Sequence, residues 1–246
     1  MDNTNLFSGK AEVYAKARPG YPNAAISYLL SQLPENPMVA DIGAGTGKFS
    51  VLLAQRGVSL FAVEPNDDMR NALIKTLSPY QNAVALGGTA ENTTIAEHSV
   101  DAAVCAQAFH WFEPTGFKKE CLRILKPHGK VFVVYNAPGG DEPILHELNW
   151  WDELHPPTHS YKARIETISA FFARKEQYAE FANPISFSGD AFLAFMLSHS
   201  SSPSVSDEYY ESYCDAVRKG FMRISREGIY TMNRLTCIYW NELDGL

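Results

Sequence analysis

The chain has 246 residues, 46% of them hydrophobic and 20% charged, and carries a formal net charge of −7 at pH 7. Those figures suit one α/β domain with a small appendage, and with no run of Lys and Arg they argue against a nucleic-acid surface. No apolar stretch is long enough to cross a bilayer and Met1-Asp2-Asn3-Thr4-Asn5 is no signal-peptide start, so no membrane partner is implied and the expected location is cytoplasmic. Cys105, Cys121, Cys214 and Cys237 lie far apart with no C-x-x-C pair, which suggests neither a zinc site nor a disulfide framework.

Residues 3–10 are polar, and Tyr14 to Pro22 reads as an ordered loop, with two prolines, a glycine, two tyrosines and Arg18. Tyr14 and Arg18 either tether this arm to the domain or roof a ligand crevice. Pro22 suits a first helical turn, after which Ile26, Leu29, Leu30 and Leu33 recur at helical spacing. Pro34 and Pro37 bracket the turn into a first strand.

That strand leads into Asp41-Ile42-Gly43-Ala44-Gly45-Thr46-Gly47-Lys48, and an amphipathic helix from Phe49 to Arg56 follows. Glycines between a buried strand and a helix mark the place where an α/β sheet opens toward a ligand, because a Cβ would block the turn and the ligand's approach. The helix start adds unpaired N–H groups and a partial positive charge. A phosphate-cradling P-loop is excluded by Ile42 and by Phe49 after Gly47-Lys48, and a dinucleotide fingerprint would need glycine where Lys48 stands.

Gly57 stops the helix, and Val58 to Val63 forms a second strand ending in Glu64-Pro65-Asn66. An acid there, 23 residues after Asp41, is placed to accept from both hydroxyls of a ribose, in an S-adenosyl compound or in NAD alike. The next helix turns Met69, Leu73 and Leu77 inward and begins at Asn66, Asp67 and Asp68. A third strand, 82–86, leads to Gly87 through Asn92. The fourth, 99–106, lacks alternation and reads as buried on both faces, delivering Gln107-Ala108-Phe109-His110-Trp111-Phe112 to the crevice. Pro114 opens a helix with Phe117, Cys121 and Leu125 inward, then Lys126 to Gly129 is a turn into a strand over 130–135.

Asp41 to Gly47, Val63-Glu64-Pro65, Thr89-Ala90-Glu91, Gln107 to Trp111 and Leu125 to Gly129 together resemble, in order and spacing, the class I S-adenosylmethionine-dependent methyltransferases. The resemblance covers residues 10–136. Tyr14, Arg18-Pro19-Gly20-Tyr21-Pro22 and Ala108-Phe109-His110-Trp111 look most like the small-molecule branch of trans-aconitate methyltransferase-like (methyltransferase type 11) proteins. It implies an α/β, Rossmann-like, seven-stranded, mostly parallel sheet with helices on both faces, an antiparallel last strand and a helical lid. It implies S-adenosyl-L-methionine as cofactor, bound by Asp41, Gly43, Ala44, Gly45, Gly47, Glu64, Pro65, Met69, Ala90, Glu91, Ala106 and Gln107. Tyr14, Arg18 and Trp111 are the expected substrate contacts, and no metal and no particular oligomeric state is implied.

Past residue 136 the pattern changes. Residues 136–161 look too irregular for core strands, and Ile165, Ile168, Phe171 and Phe172 mark a helix. Residues 176–188 contain Pro184 and suit an edge strand. Residues 192–196 are helical, 198–204 form a serine-rich link, and Tyr210 to Ile224 is a longer amphipathic helix. Residues 229–240 return to strand character, in the place of the family's antiparallel last strand. The expected division is a cofactor-binding core with its arm over 1–136, a mainly helical lid and substrate region with an edge strand over 137–228, and a returning strand over 229–246.

Methyl transfer from a sulfonium needs alignment and exclusion of water, with a base only if the acceptor must lose a proton. His110 is the expected catalytic candidate, as such a base or as pocket lining. His155, His159 and His199 lie in polar stretches and read as solvated. The resulting expectation is a methyltransferase acting on a small molecule, possibly a carboxylate. The alternative is a non-catalytic binder of S-adenosylmethionine or S-adenosylhomocysteine. An NAD oxidoreductase is disfavoured by Lys48 and by the lack of a Tyr-x-x-x-Lys pair.

Overall fold

A computed structural model describes residues 20–139, 146–155, 161–172, 174–199 and 201–243. In chain order the elements are α1 (Asn23–Ser31), β1 (Met38–Ile42), α2 (Ser50–Ala54), β2 (Ser59–Val63), α3 (Asp67–Leu77), β3 (Ala83–Leu86) and β4 (Val100–Ala106). A 3-10 turn (Phe109–Trp111), α4 (Pro114–Ile124), β5 (Leu125–Pro138), a second 3-10 turn (His146–Leu148), α5 (Asn149–Leu154) and α6 (Tyr161–Phe172) follow. The described chain then runs through β6 (Gln177–Ala182), β7 (Ile185–Phe187), α7 (Gly189–Leu197), α8 (Tyr210–Ile224), β8 (Tyr230–Met232) and β9 (Arg234–Glu242).

Seven strands form one sheet in the order β3-β2-β1-β4-β5-β9-β6. The first five pair in parallel, and β9 inserts antiparallel between β5 and β6. The strand order reverses between β1 and β4, so a crevice opens at their carboxyl ends. Alternate residues feed opposite faces. Ala40, Ala103, Cys105, Val131, Val133 and Tyr135 join one apolar cluster, while Val39, Ala102, Val104, Phe132 and Val134 join the other. Both faces are therefore covered, as near-continuous apolar strands require.

On the first face Phe109, Phe117 and Phe171 pack together, with ring centroids 5.2 to 6.0 Å apart. Phe171, Phe172 and Ile168 of α6 thus belong to the sheet's own core. A separate cluster gathers Trp151, Phe187, Phe192, Phe195, Tyr213, Val217, Phe221 and Met232, from α5, α7, α8 and the β7–β8 ribbon. Within the region expected as lid, α6 covers the sheet and β6 joins it, while α5, α7, α8 and β7 share the separate cluster.

Four sequence expectations shift. Residues 136–161, read as too irregular for core strands, include the helix α5, because Trp151 is buried against Tyr213 and its Nε1 donates to Ser201 O at 3.1 Å. The strand expected over 130–135 begins earlier and ends later, with Leu125 paired to Val100 and Lys130 to Ala102, so the extra residues bulge out. The stretch expected as an edge strand yields β6 at the sheet edge, then β7 after Pro184. The single strand expected over 229–240 breaks at Asn233, whose carbonyl accepts from Gly139 N–H at 2.9 Å, leaving β8 to pair with β7 and β9 with the sheet.

A polar knot fixes the chain's entry to the domain. Asn136 Nδ2 and Asn183 Nδ2 both donate to Gly20 O, at 3.1 and 3.0 Å, and Thr236 Oγ1 donates to Asn136 Oδ1 at 2.6 Å. The end of the N-terminal arm is thereby tied to the carboxyl end of β5.

Candidate active site

The loop after β1 folds back onto β2. Gly43 and Ala44 N–H groups both donate to Val63 O, at 2.9 and 3.0 Å, and Gly47 N–H donates to Ala44 O. A Cβ at Gly43, where φ is +71°, would lie 2.7 Å from Ala108 Cβ, so glycine lets the β4 loop close against the β1 loop. Gly45 also has a positive φ, but a Cβ there would meet nothing within 4 Å. Its open side is space for a ligand.

Glu64, directly after β2, is almost fully buried, at 7% exposure. Its two oxygens accept from Gly45 N–H at 2.8 Å and Asn66 N–H at 2.9 Å. Burial pushes its carboxyl above the usual range, while these two hydrogen bonds and the Arg70 charge draw it back. A carboxylate has about four lone-pair sites, so two remain for ligand hydroxyls. Arg70 Nη1 braces the turn by donating to Glu64 O and Pro65 O, at 3.0 and 3.1 Å, and its other nitrogen pairs with Asp67. Asn66 caps α3 by accepting from Met69 N–H at 3.0 Å, which buries Met69 beneath the turn.

Asp41 is 1% exposed. Its Oδ2 accepts from Ser50 Oγ at 2.5 Å, while Oδ1 is buried with no partner among the described residues. Burial raises its pKa from 3.8 to about 7; the Ser50 hydrogen bond opposes that and the Glu64 charge adds to it. A buried acceptor without a donor is costly and asks for one.

The remaining expected residues lie around these two acids. Ala90 is buried, and Glu91 is exposed, its Oε1 accepting from Glu113 N–H at 3.0 Å. Glu113 in turn caps α4 through Thr115 and Gly116 N–H. Ala106 ends β4, and Gln107 follows with φ +58°, uncommon for a residue with a side chain and a mark of local strain. Its N–H donates to Val134 O at 2.8 Å. His110 and Trp111 are half-buried in the 3-10 turn, with ring centroids 4.7 Å apart. Tyr135 Oη accepts from His110 N–H at 3.0 Å and lies 3.0 Å from its Nδ1.

Tyr14, Arg18 and His159 lie outside the described residues. His155, expected to be solvated, is exposed, with its ring against Trp151 at a centroid distance of 3.9 Å, and half-buried His199 has its Nδ1 3.0 Å from Met196 O at the end of α7. Sequence reasoning missed Ser50, Arg70 and Tyr135, and also Glu120. Buried Glu120 takes Thr93 N–H and Oγ1 at 2.8 and 2.6 Å and Arg123 Nε at 2.8 Å, fastening the loop after β3 to α4. Among the described residues no group of three or more His, Cys, Asp or Glu could hold a metal ion.

The fold is the seven-stranded Rossmann-like fold of methyltransferases, and residues 40–133 match the family described as "Methyltransferase domain". For a domain of the class I type that the sequence resembles, S-adenosylmethionine is the implied cofactor. An uncharacterized methyltransferase of Mycobacterium tuberculosis is 39% identical over 153 residues, which is 62% of this chain and 58% of that protein. This chain thus aligns with little more than half the length of that relative. An uncharacterized methyltransferase of Schizosaccharomyces pombe is 25% identical over 93% of both chains. The solved structure of a candidate type II methyltransferase from Anaeromyxobacter dehalogenans has the same fold, with a TM-score of 0.67 at 21% identity, covering 92% of this chain and 98% of that one.

The crevice suits that cofactor. Asp41 Oδ1 lacks the donor that the ammonium of a methionyl group carries, Gly45 leaves open space beside it, and Glu64 keeps acceptor capacity for ribose hydroxyls.

Proposed function

We propose that the chain transfers the methyl group of S-adenosylmethionine to a small molecule, with a carboxylate as the favoured acceptor. The observation that carries the cofactor half is the buried Asp41 Oδ1, without a donor among the described residues, beside the open face of Gly45. Asp41 would hold the ammonium end, Glu64 the ribose, and Ala90 and Glu91 would border the adenine. When bound, the cofactor supplies an activated methyl on a sulfonium.

The chain's own residues have the simpler tasks of alignment and exclusion of water. Gln107, held in its strained conformation at the end of β4, fixes the turn that carries His110 and Trp111 to the crevice rim. Trp111 would form a wall against the acceptor. A carboxylate is already ionised at neutral pH and needs no base, which suits a rim whose described titratable ring is one half-buried histidine. Arg18 would supply the counter-charge, and α5, α7 and α8 would cover the acceptor. A chain bearing a net charge of −7 suits a small ligand better than a nucleic acid.

Calorimetry with S-adenosylmethionine, S-adenosylhomocysteine and NAD, followed by a labelled-methyl screen of small acids and phenols, tests the proposal. Binding of NAD alone would overturn the cofactor assignment. Labelling of phenols but no acid would overturn the carboxylate.

A further inference from the structure

We infer that Arg70 is a positioning residue for the cofactor: its guanidinium clamps the turn after β2 against the loop after β3 and so aims Glu64 at the ribose. The inference rests on the cofactor half of the proposed function and adds the group that acts through Glu64. Arg70 stands in the first turn of α3, the helix that follows Glu64-Pro65-Asn66. Its Nη1 donates to Glu64 O and Pro65 O, at 3.0 and 3.1 Å, and its Nη2 pairs with Asp67. The same guanidinium lies against Gly87, the first residue after β3. A Cβ built on Gly87 would sit 3.5 Å from Arg70 Cζ and 3.6 Å from Nε and Nη1, which is ordinary contact. One flat cation therefore meets both segments that leave the paired strands β2 and β3.

Strand pairing carries these two strands to Val63 and Leu86, and Glu64 N–H then donates to Leu86 O at 3.0 Å. With its N–H held by β3 and its carbonyl held by Arg70, the backbone of Glu64 is fixed on both sides. The carboxylate that springs from it takes Gly45 N–H and Asn66 N–H and keeps its remaining lone pairs for a ligand. The Arg70 charge also favours the ionised carboxylate, against the burial that raises it. Asp67 does less, since an ion pair to a carboxylate 82% exposed adds little by itself. A lysine would bring the charge, but not the flat fork that meets two carbonyls and a carboxylate together.

The test is calorimetry of S-adenosylhomocysteine binding to the full chain, as wild type, Arg70→Met, Arg70→Lys, Glu64→Ala and the double variant Arg70→Met with Glu64→Ala. Arg70→Met should weaken binding about tenfold, and Arg70→Lys, which returns the charge, only about threefold. In the Glu64→Ala background, Arg70→Met should weaken binding by less than about twofold, because the residue it aims is gone. With a methylated acceptor in hand, Arg70→Met should raise the Michaelis constant for S-adenosylmethionine about tenfold and leave kcat within about twofold. Unchanged affinity in Arg70→Met overturns the inference. Losses that multiply in the double variant also overturn it, because Arg70 would then act independently of Glu64, and so does a fall in kcat with an unchanged Michaelis constant. If Arg70→Met does not fold, Arg70→Lys, alone and with Glu64→Ala, decides in the same way. A wild type that binds no S-adenosylhomocysteine overturns the cofactor reading and the inference together. A wild type that binds it as tightly as Arg70→Met does overturns the inference alone.

Discussion

The backbone N–H of Gly45 donates to Glu64 Oε2 at 2.8 Å, joining the loop that ends β1 to the acid that ends β2. The other oxygen of Glu64 holds Asn66 N–H, which begins α3. One carboxylate thus sets the spacing of the crevice and, in the proposed complex, also binds the ribose. Glu64→Ala should therefore damage both functions. Thermal or urea unfolding should show a loss of about 1–3 kcal/mol from two buried N–H groups left unpaired, and cofactor affinity should fall by a similar free energy. Glu64→Gln keeps one acceptor oxygen and should lose less. Full stability with weakened binding in Glu64→Ala would show that Glu64 serves the ligand alone.

Gly45→Val tests where the open space lies. The position has φ +58°, and a Cβ placed there would have nothing within 4 Å, so the valine would be strained but unobstructed in the free protein. The expected result is a folded variant, destabilised by about 1–2 kcal/mol, with cofactor binding lost in calorimetry. Normal binding would place the cofactor elsewhere.

Asp41 predicts a pH dependence. Its folded carboxyl titrates at about 7 against an ordinary value of 3.8, so from about pH 4 to 7 the folded state keeps a proton that the unfolded state has released. Its contribution to stability is fully present below about pH 4 and is lost as the pH rises through about 7. A ligand ammonium at Oδ1 favours the ionised form, so cofactor binding should strengthen from about pH 5.5 to about 7.5 and release a proton. Glu64 raises the carboxyl, and buried Cys105 on β4 feels the Asp41 charge in turn. Calorimetry at about pH 6 in buffers of differing ionisation heat should show that proton, and Asp41→Asn should abolish it. A binding heat independent of buffer would refute the linkage.

Glu120 tests the loop after β3 from a distance. Burial raises its carboxyl, but hydrogen bonds from Arg123 and Thr93 more than reverse this, so it is held ionised below the usual range. Glu120→Ala should cost about 2–3 kcal/mol in urea unfolding, because the ion pair and both Thr93 hydrogen bonds go together. Ala90 lies on that loop, so cofactor affinity should also weaken several-fold. Unchanged affinity in the variant would separate the loop from the cofactor.

The sheet was legible because its strands are buried on both faces and read as apolar runs between turn residues, as in Val100 to Ala106. The helix α8 was legible for a similar reason, with Tyr213, Val217 and Phe221 at helical spacing. Asn149 to Leu154 was not, because its helix depends on Trp151 finding Tyr213 and Ser201 far along the chain. Asp41 was singled out by its place before the glycines at the end of β1, and Glu64 by its place directly after β2. Ser50 looked like any first residue of a helix, and Tyr135 like any aromatic in a strand. Their roles arise only when distant segments meet: Tyr135 is 25 residues from His110, and Glu120 is 27 from Thr93. The arm bearing Tyr14 and Arg18 was legible as an ordered loop, and those two residues lie outside the described ones.

The last prediction separates the two roles of His110 by the size of a mutational effect. A positioned base is worth about 10²–10⁴-fold in rate, whereas a neutral hydrogen-bond donor is worth roughly tenfold. With a carboxylate acceptor, His110→Ala should reduce kcat only about tenfold, and His110→Asn, which keeps a side-chain N–H, should recover part of that loss. Arg18→Ala should instead raise the Michaelis constant, because a guanidinium grips a carboxylate through two parallel hydrogen bonds. Neither change should alter cofactor Kd by more than about twofold, since in the proposed complex Asp41 and Glu64 carry that task. Steady-state kinetics on the best acid from the labelled-methyl screen decides the matter. A loss of about 10²-fold or more in His110→Ala, not recovered by asparagine, would make His110 a base and require an acceptor that surrenders a proton. Full activity in both His110→Ala and Arg18→Ala would remove both residues from the chemistry and leave acceptor binding to the cluster built by α5, α7 and α8.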